Sequence, residues 1–252
     1  LFRSYKPGKF NFRASYAAGF RTPTLSELYA TDIAKKNDRL TIGNLDLKSE
    51  KNNYFSLSAE YVHERFSVSV NAFYNNIRDM IDYNTIATGD KAMEQYGHKE
   101  VRQRDNIAEA KVHGINVSAN AYLGAGFNLS GGYTHLNTQD VELEQPIDKS
   151  IKNAYNINAQ WAHSWKIYRL NINLNGRINS KRFSKSYGYA PEYQLWNLNT
   201  RHSFNLKSVI IEPGCGMENL FDYMDDRPYN SNYATLTPGR SFYISLSLKF
   251  KS

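Results

Sequence analysis

The chain has 252 residues, a mean hydropathy of −0.62 and 14% aromatic residues, including 19 tyrosines. It contains no run of the ~18 apolar residues that a membrane-spanning helix needs, and its single cysteine, Cys215, excludes an internal disulfide. The net charge of +7 comes without a Lys/Arg-rich block, so we expect no nucleic-acid partner.

Period-two alternation of apolar and polar residues predicts about ten β-strands. In chain order they lie near residues 10–16, 55–61, 66–72, 115–121, 127–133, 155–161, 168–178, 196–206, 209–217 and 242–250. Residues 1–4 precede a Pro-Gly turn signal and predict the end of an earlier strand. Because a barrel must close, we expect further strands before this chain. A phase slip between Lys111 and Ile115 predicts a bulge at Gly114.

The connections between the predicted strands alternate strictly between short and long. The short ones lie near His63–Arg65, Gly124–Gly126, Ser164–Lys166 and Lys207–Ser208, and the long ones near residues 19–50, 79–104, 138–150, 180–192 and 218–239. Short turns on one rim and long loops on the other are typical of an outer-membrane barrel. Such long loops are uncommon in a compact soluble domain.

The predicted fold class is therefore all-β: an antiparallel transmembrane β-barrel in the bacterial outer membrane, surrounded by lipid. Its polar strand faces enclose the lumen. Aromatic residues near the short turns predict a girdle at the inner rim. They are Tyr61, Phe66, Phe127, Trp161, Tyr168 and Phe250, whereas His63 and His163 are predicted to lie in the turns themselves.

Three stretches of the chain carry a more specific pattern. The first is Gly19-Phe20-Arg21-Thr22-Pro23, followed by Leu25-Ser26-Glu27-Leu28-Tyr29. The second runs from Asn44 through Leu47 to Glu50. The third is Asn219-Leu220-Phe221-Asp222, followed by a closing strand with Phe250 near its end. Together they resemble the C-terminal barrel region of TonB-dependent receptors, although Leu45 and Ser49 replace two prolines of the family pattern.

This resemblance implies that residues 1–252 are the C-terminal portion of a roughly 22-stranded barrel, whose N-terminal plug lies outside the chain. It implies an outer-membrane active-transport receptor that binds a scarce nutrient and imports it with energy from the TonB complex, which contacts the plug region. The nutrient would be an iron chelate, such as a ferric siderophore or haem, or cobalamin. The resemblance implies neither an enzyme nor a resident cofactor.

Ligand-binding candidates are polar and aromatic residues of the outer loops and upper lumen wall. They are Arg21, Tyr29, Tyr83, Tyr96, His98, Arg102, Tyr187, Tyr189, Tyr229 and Tyr233. Some haem-importing members of the family that the chain resembles carry a histidine between the first two motif stretches. No histidine lies between Pro23 and Asn44, so the resemblance disfavours haem. The six histidines show no metal-ligand spacing, so we predict no metal site.

Three alternatives remain open from the residues alone. A complete ten-stranded barrel protease of the omptin type would recruit His135 with Asp140, Asp79 or Asp82. A passive porin would share the alternation and the loop asymmetry. A soluble β-sandwich would share the alternation only. We favour the receptor because the protease hypothesis explains none of the three motif stretches.

Overall fold

The computed structural model describes residues 1–184, 188–225 and 238–251. Eleven strands in these residues pair along one antiparallel path, which confirms the all-β prediction. They are β1 Phe2–Tyr5, β2 Phe10–Arg21, β5 Glu50–Val62, β6 Phe66–Thr88, β7 Glu100–Gly124, β8 Phe127–Asp140, β9 Asn153–Trp165, β10 Tyr168–Asn179, β13 Tyr193–Asn205, β14 Val209–Glu218 and β15 Ser241–Phe250. The path ends at β1 and β15, so the described sheet is open.

Shorter elements occupy the long connections. They are helix α1 Leu25–Tyr29, strands β3 Thr31–Ala34 and β4 Arg39–Ile42, helix α2 Gly89–Tyr96, and strands β11 Arg182–Ser184 and β12 Gly188–Ala190. β3 and β4 form a hairpin whose second strand pairs in parallel with β7, while β11 and β12 form a separate two-stranded sheet. Among the described residues, no helix is long and apolar enough to cross a membrane.

The strand register places apolar residues opposite apolar residues, and polar residues opposite polar residues, on neighbouring strands. Phe12 pairs with Ala59 and Ala59 with Val70, and these positions belong to what we call the apolar face. The alternate positions form the polar face, where Asn11 pairs with Glu60 and donates a hydrogen bond of 3.1 Å to its carboxylate. Because successive side chains of a strand point to opposite sides, the alternation in the sequence becomes two chemically distinct surfaces.

Aromatic rings cluster on the apolar face beside the short turns, as predicted. The centroid distances are 4.9 Å for Phe10–Tyr61, 5.6 Å for Tyr61–Phe66, 5.9 Å for Phe127–Trp161, 5.6 Å for Trp165–Tyr168 and 5.0 Å for Tyr168–Phe204. The prediction that His163 lies in a turn is wrong. It belongs to β9, with its ring 4.4 Å from that of Trp165, and the following turn begins at Lys166 rather than Ser164.

The predicted bulge at Gly114 is also wrong. The register passes through Gly114 without a shift on both sides of β7. Glycine is required there for close approach, because a Cβ atom would lie 2.2 Å from the carbonyl oxygen of His135. In the β6–β7 ladder the shifts in register instead lie between Ile77 and Ile81 and between Thr85 and Ala87, and in the β7–β8 ladder the shift lies between Tyr122 and Gly124.

Most of segment 79–104, predicted as a loop, is a β-hairpin. β6 continues to Thr88, β7 begins at Glu100, and α2 lies at the tip. At 23 and 25 residues, these two strands are longer than the others on the path. The bulges interrupt the period-two alternation, so the sequence pattern ends before the strands do.

Candidate functional site

The first two motif stretches meet where β2 ends and β5 begins. This end of the strands lies away from the short turns, and we call it the outer end. Arg21 donates two hydrogen bonds to Glu50, from Nε at 2.7 Å and from Nη2 at 2.6 Å. Its Nη1 donates to Glu27 of α1 at 2.9 Å. Both carboxylates are largely buried, with side-chain exposures of 13% for Glu27 and 16% for Glu50. We refer to these three residues as the Arg21 cluster, in which one guanidinium bridges two carboxylates by charge-assisted hydrogen bonds.

Glu27 also fixes the start of α1. Thr24 and Glu27 form a capping box, in which the Thr24 hydroxyl accepts from the Glu27 backbone N–H and the Glu27 carboxylate accepts from the Thr24 backbone N–H. Hydrogen bonding from Arg21 lowers the pKa of Glu27 from 4.5 to about 2; burial opposes this shift, and the bonds from Thr24 reinforce it. The carboxylate is therefore ionised at neutral pH.

Glu50 connects the same cluster to the irregular part of β6. Its Oε1 atom accepts a hydrogen bond of 2.9 Å from the backbone N–H of Ile81, which lies within the register shift. Asn106 supports the other side, donating to the carbonyl oxygens of Asp79 at 2.6 Å and Lys48 at 3.0 Å. Side chains thus partner backbone groups where regular strand pairing is interrupted.

The second motif stretch packs closely against α1. The backbone N–H of Asn44 donates to the Glu27 carbonyl at 3.0 Å, and the Asn44 side chain accepts from Asp46 in an Asx turn. Leu47 is half-buried. At Gly43, a Cβ atom would lie 2.5 Å from the carbonyl oxygen of Leu28. These residues therefore shape the connection between α1 and β5.

The third motif stretch forms the turn that ends β14. Asn219 is 4% exposed and adopts a left-handed conformation, with a φ of 51°. Its side chain accepts from the Tyr223 N–H at 2.8 Å and donates to the Tyr223 carbonyl at 2.7 Å. Asparagine tolerates this backbone conformation while its amide satisfies the turn. Leu220 donates its backbone N–H to the Trp196 carbonyl at 2.7 Å.

Several family-motif residues are positioned by the strand ends. Phe20 and Phe250 are 77% and 81% exposed on the apolar face, and Phe221 is 60% exposed beside the ring of Trp196. Pro23 lies between β2 and α1. After Phe250, the Lys251 ammonium donates to the Leu206 carbonyl at 2.7 Å, which joins the end of β15 to the turn between β13 and β14.

Two ligand candidates share one face of the long β6–β7 hairpin. Tyr83 pairs with Arg104, whose guanidinium carbon lies 3.6 Å from the Tyr83 ring centroid and whose Nη2 donates to the Tyr83 hydroxyl at 2.5 Å. Arg102 lies two residues away on the same strand face and donates from Nε to Glu100 at 2.6 Å. Arg39 of β4 is aligned with Glu100. We refer to Arg39, Tyr83, Arg102 and Arg104 as the arginine–tyrosine row.

His98 connects this hairpin to the β3–β4 hairpin. Its Nδ1 lies 2.8 Å from Oδ1 of Asp38, and the backbone N–H of Lys99 donates to the Asp38 carbonyl at 3.0 Å. The hydrogen bond with His98 lowers the pKa of Asp38. His98 is thus placed to hold two outer segments together.

The other candidates are distributed over separate outer segments. Tyr29 ends α1 and is 68% exposed, Tyr96 ends α2 and is half-buried, and Tyr189 of β12 lies 5.3 Å from Phe183 by ring centroids. Tyr187, Tyr229 and Tyr233 lie outside the described residues. The structure therefore brings Tyr83 and Arg102 into one row, and it engages Arg21 in the Arg21 cluster.

A family model described as TonB dependent receptor-like, beta-barrel, matches residues 4–220. The chain belongs to this family. Solved structures similar to this receptor barrel include a ferric enterobactin receptor of Pseudomonas aeruginosa, with 20% identity and a TM-score of 0.74, covering 98% of this chain and 39% of that one. They also include BauA, the ferric preacinetobactin receptor of Acinetobacter baumannii, with 16% identity, a TM-score of 0.70, and 99% and 35% coverage.

The copper transporter OprC is similar too, with 13% identity, a TM-score of 0.71, and 99% and 39% coverage. At these identities, the likeness establishes the fold of the receptor barrel. The chain spans 35% to 39% of the length of these three proteins.

The arrangement gives no support to the protease alternative. His135 and Asp140 are five positions apart in a part of the β7–β8 ladder without a register shift, so they point to opposite faces. His135 instead lies with its Nδ1 2.9 Å from the side-chain oxygen of Asn153. No group of three or more potential metal ligands occurs in ranges 1–184, 188–225 and 238–251.

Sequence reasoning did not assign roles to Glu27, Asn106 or Arg104. Glu27 lies inside a quoted motif and follows Thr24 at the capping-box spacing, which is a usable signal. Arg104 follows Arg102 at the spacing of one strand face. Asn106 carries no local signal, because its partner Lys48 lies 58 residues away.

Proposed function

We propose that this receptor barrel forms part of an outer-membrane transporter that binds an anionic metal chelate at the arginine–tyrosine row and imports it with TonB-supplied energy. The observation that carries the proposal is the stacking of the Arg104 guanidinium on Tyr83 at 3.6 Å. A guanidinium supported by an aromatic ring presents positive charge and a flat polarisable surface. Both suit an anionic, aromatic ligand such as a ferric catecholate.

The charge distribution of the row supports this chemistry. It contains three arginines. Of these three, only Arg102 forms an ion pair with another described residue, and its partner is Glu100. The Nε atom of Arg39 is buried and has no hydrogen-bond partner among the described residues. Because this atom is buried, Arg39 supports the row through its positive charge rather than through a contact from Nε. Ferric siderophores named in two of the similar structures, enterobactin and preacinetobactin, are the corresponding ligand class.

The test uses the full-length receptor and a panel of ferric catecholate, ferric hydroxamate, haem and cobalamin. We expect the ferric catecholate to bind, and Arg104→Gln to weaken its binding by about tenfold through loss of a charge-assisted contact. Arg65→Gln removes the same charge from an exposed residue in a short turn and should leave affinity unchanged. Equal affinity of wild type and Arg104→Gln for every bound ligand would reject the row as the binding site.

Transport is measured separately with radiolabelled iron in cells. We expect deletion of the gene to abolish accumulation, and dissipation of the proton-motive force to stop accumulation while leaving surface binding intact. Unchanged accumulation after deletion, across the whole ligand panel, would contradict the transport proposal.

A further inference from the structure

One part of the barrel wall carries charge of a single sign on its polar face. Strands β9, β10 and β13 are neighbours, and none of them contains an aspartate or a glutamate. The strand ladders align Glu60 of β5, which lies on the polar face, with Arg177 of β10. The aligned positions on the strands between them are Ser69, Ser118, Gly132 and Asn156. The same face of β10 and β13 also carries Arg169 and Arg201.

These three arginines are not neutralised by neighbouring residues. All three are exposed, and none forms an ion pair or a side-chain hydrogen bond with another residue of the described ranges. The cations at the two sides of the described sheet are paired instead. Arg13 lies 3.0 Å from Glu60, and Lys249 lies 2.6 Å from Glu212. The polar face of β9, β10 and β13 therefore retains its positive charge.

The arginines are spread along the height of the wall. Arg169 follows Tyr168, whose ring belongs to the aromatic cluster beside the short turns, and Arg201 is aligned with Asn171. Arg177 lies eight positions beyond Arg169 on the same strand, which is about 20 Å along the axis of a tilted barrel. Because the apolar band of such a barrel is about 25 Å tall, the positive charge extends across most of the membrane.

A groove surrounds the outermost of the three arginines. It has a volume of about 580 Å³, and Arg177 is the one charged residue among those that line it. The amides in it bond to each other, since Asn158 donates to Asn175 at 2.5 Å. Gly132 keeps it open, because a Cβ atom there would lie 2.4 Å from the side-chain oxygen of Asn156. We call it the Arg177 groove. Other residues that line it are Ser118, Asn120, Ser130 and Asn197.

We propose that the Arg177 groove is a second binding site for the anionic chelate, which occupies it during passage through the lumen, and that Arg201 and Arg169 attract the chelate onward to the inner end. The inference rests on the proposed function, because it requires an anionic cargo. The groove has the size of a small-molecule site. Unpaired cations in a wall of low dielectric concentrate anions, and arginines line pores for anions. Neutral amides around them leave the binding weak enough for release.

The first test measures the potential in the groove of the full-length receptor and does not require a known cargo. Cys215→Ser removes the native thiol, and Asn158→Cys places one thiol in the groove. Its reaction rates with a negatively and a positively charged methanethiosulfonate are each divided by the rate with a free thiol. We expect the negative reagent to be favoured, and this preference to fall about tenfold in Arg177→Gln.

Two controls separate charge from structural damage. Arg177→Lys keeps the positive charge, so the preference for the negative reagent should persist. A thiol from Asn71→Cys lies on the same polar face but four strands from β10, about 19 Å away, and should not respond to Arg177→Gln. Heat-dependent mobility on a gel checks that each barrel is folded.

The second test follows import of a radiolabelled ferric tris-catecholate by the full-length receptor in cells. We expect the triple variant Arg169→Gln, Arg177→Gln, Arg201→Gln to bind the chelate at the cell surface like the wild type and to accumulate iron about tenfold more slowly. Lysine at the same three positions should restore most of the rate. The matched control Arg65→Gln, Lys166→Gln, Lys207→Gln removes three exposed charges from the short turns and should import like the wild type.

Several results would overturn the proposal. They are failure of both reagents to reach the thiol of Asn158→Cys, a preference that does not depend on Arg177, and normal import by the triple variant despite normal surface binding. Entry of a large antibiotic into cells with the triple variant would also overturn it, by indicating that the arginines seal the lumen. If the receptor binds no ferric catecholate, the proposed function fails, and the thiol reactions alone decide whether the groove attracts anions.

Discussion

The barrel wall and the outer end of this receptor are stabilised in different ways. In the wall, each strand repeats the same two-residue alternation, and Phe12–Ala59 is one of many equivalent apolar pairs. At the outer end, single side chains such as Glu50 and Asn106 partner the backbone at an interruption in β6. Because buried N–H and C=O groups need partners, individual side chains become indispensable where strand pairing stops.

The family motif residues follow the same division. Arg21, Glu50 and Asn219 all lie at strand ends. The Arg21 and Glu50 side chains and the Asn219 backbone N–H form hydrogen bonds to other strands. We infer that the motif stretches specify how strands end and loops begin, while ligand specificity depends on other outer residues. The following experiments test that division.

The largest loss of stability is expected at Gly114, a position in the barrel wall where one particular residue is required. Gly114→Ala places a Cβ atom 2.2 Å from the His135 carbonyl oxygen, so a strand must shift, at a cost of about 2–3 kcal/mol. Gly19→Ala, in β2, meets no atom within 4 Å and should be nearly neutral. The measurement is denaturant-induced unfolding of the full-length barrel. Equal stability of the two variants would show that the wall accommodates the added atom.

An intermediate effect is expected at the outer end. Arg21→Met leaves two largely buried carboxylates without their shared cation, which we expect to destabilise this region by about 2 kcal/mol after allowance for the partial exposure of Arg21. Hydrogen exchange should increase in residues 22–50 and at Ile81, but not in β9 or β10. Arg65→Met is the control. Uniform exchange changes throughout the barrel would contradict a local role.

The smallest effect is expected in the pH dependence of the mobility of α1. The pKa of Glu27 is lowered to about 2, so its interactions contribute fully above its ordinary value of 4.5 and are lost as pH falls toward 2. A nitroxide attached at the exposed position 25 should therefore become more mobile in that interval. In Glu27→Gln, mobility should be higher at neutral pH and nearly independent of pH. Constant mobility in the wild type would exclude this contribution.

The sequence by itself determined the barrel wall. Period-two alternation is a local property of the chain, so strands such as β10 and the two faces of the sheet follow from it directly. The order of long and short connections and the motif stretches likewise predicted the family to which the chain belongs. The aromatic clustering beside the short turns was predictable for the same local reason.

Only the tertiary structure decided how β6 and β7 continue at the outer end and why Gly114 must be a glycine. Bulges hide the continuation of β6 and β7 to Thr88 and Glu100, because each extra residue reverses the phase of the alternation. The Glu50–Ile81 and Asn106–Lys48 contacts join residues 31 and 58 positions apart. No local pattern encodes such pairs, since their geometry depends on how neighbouring strands and loops pack together.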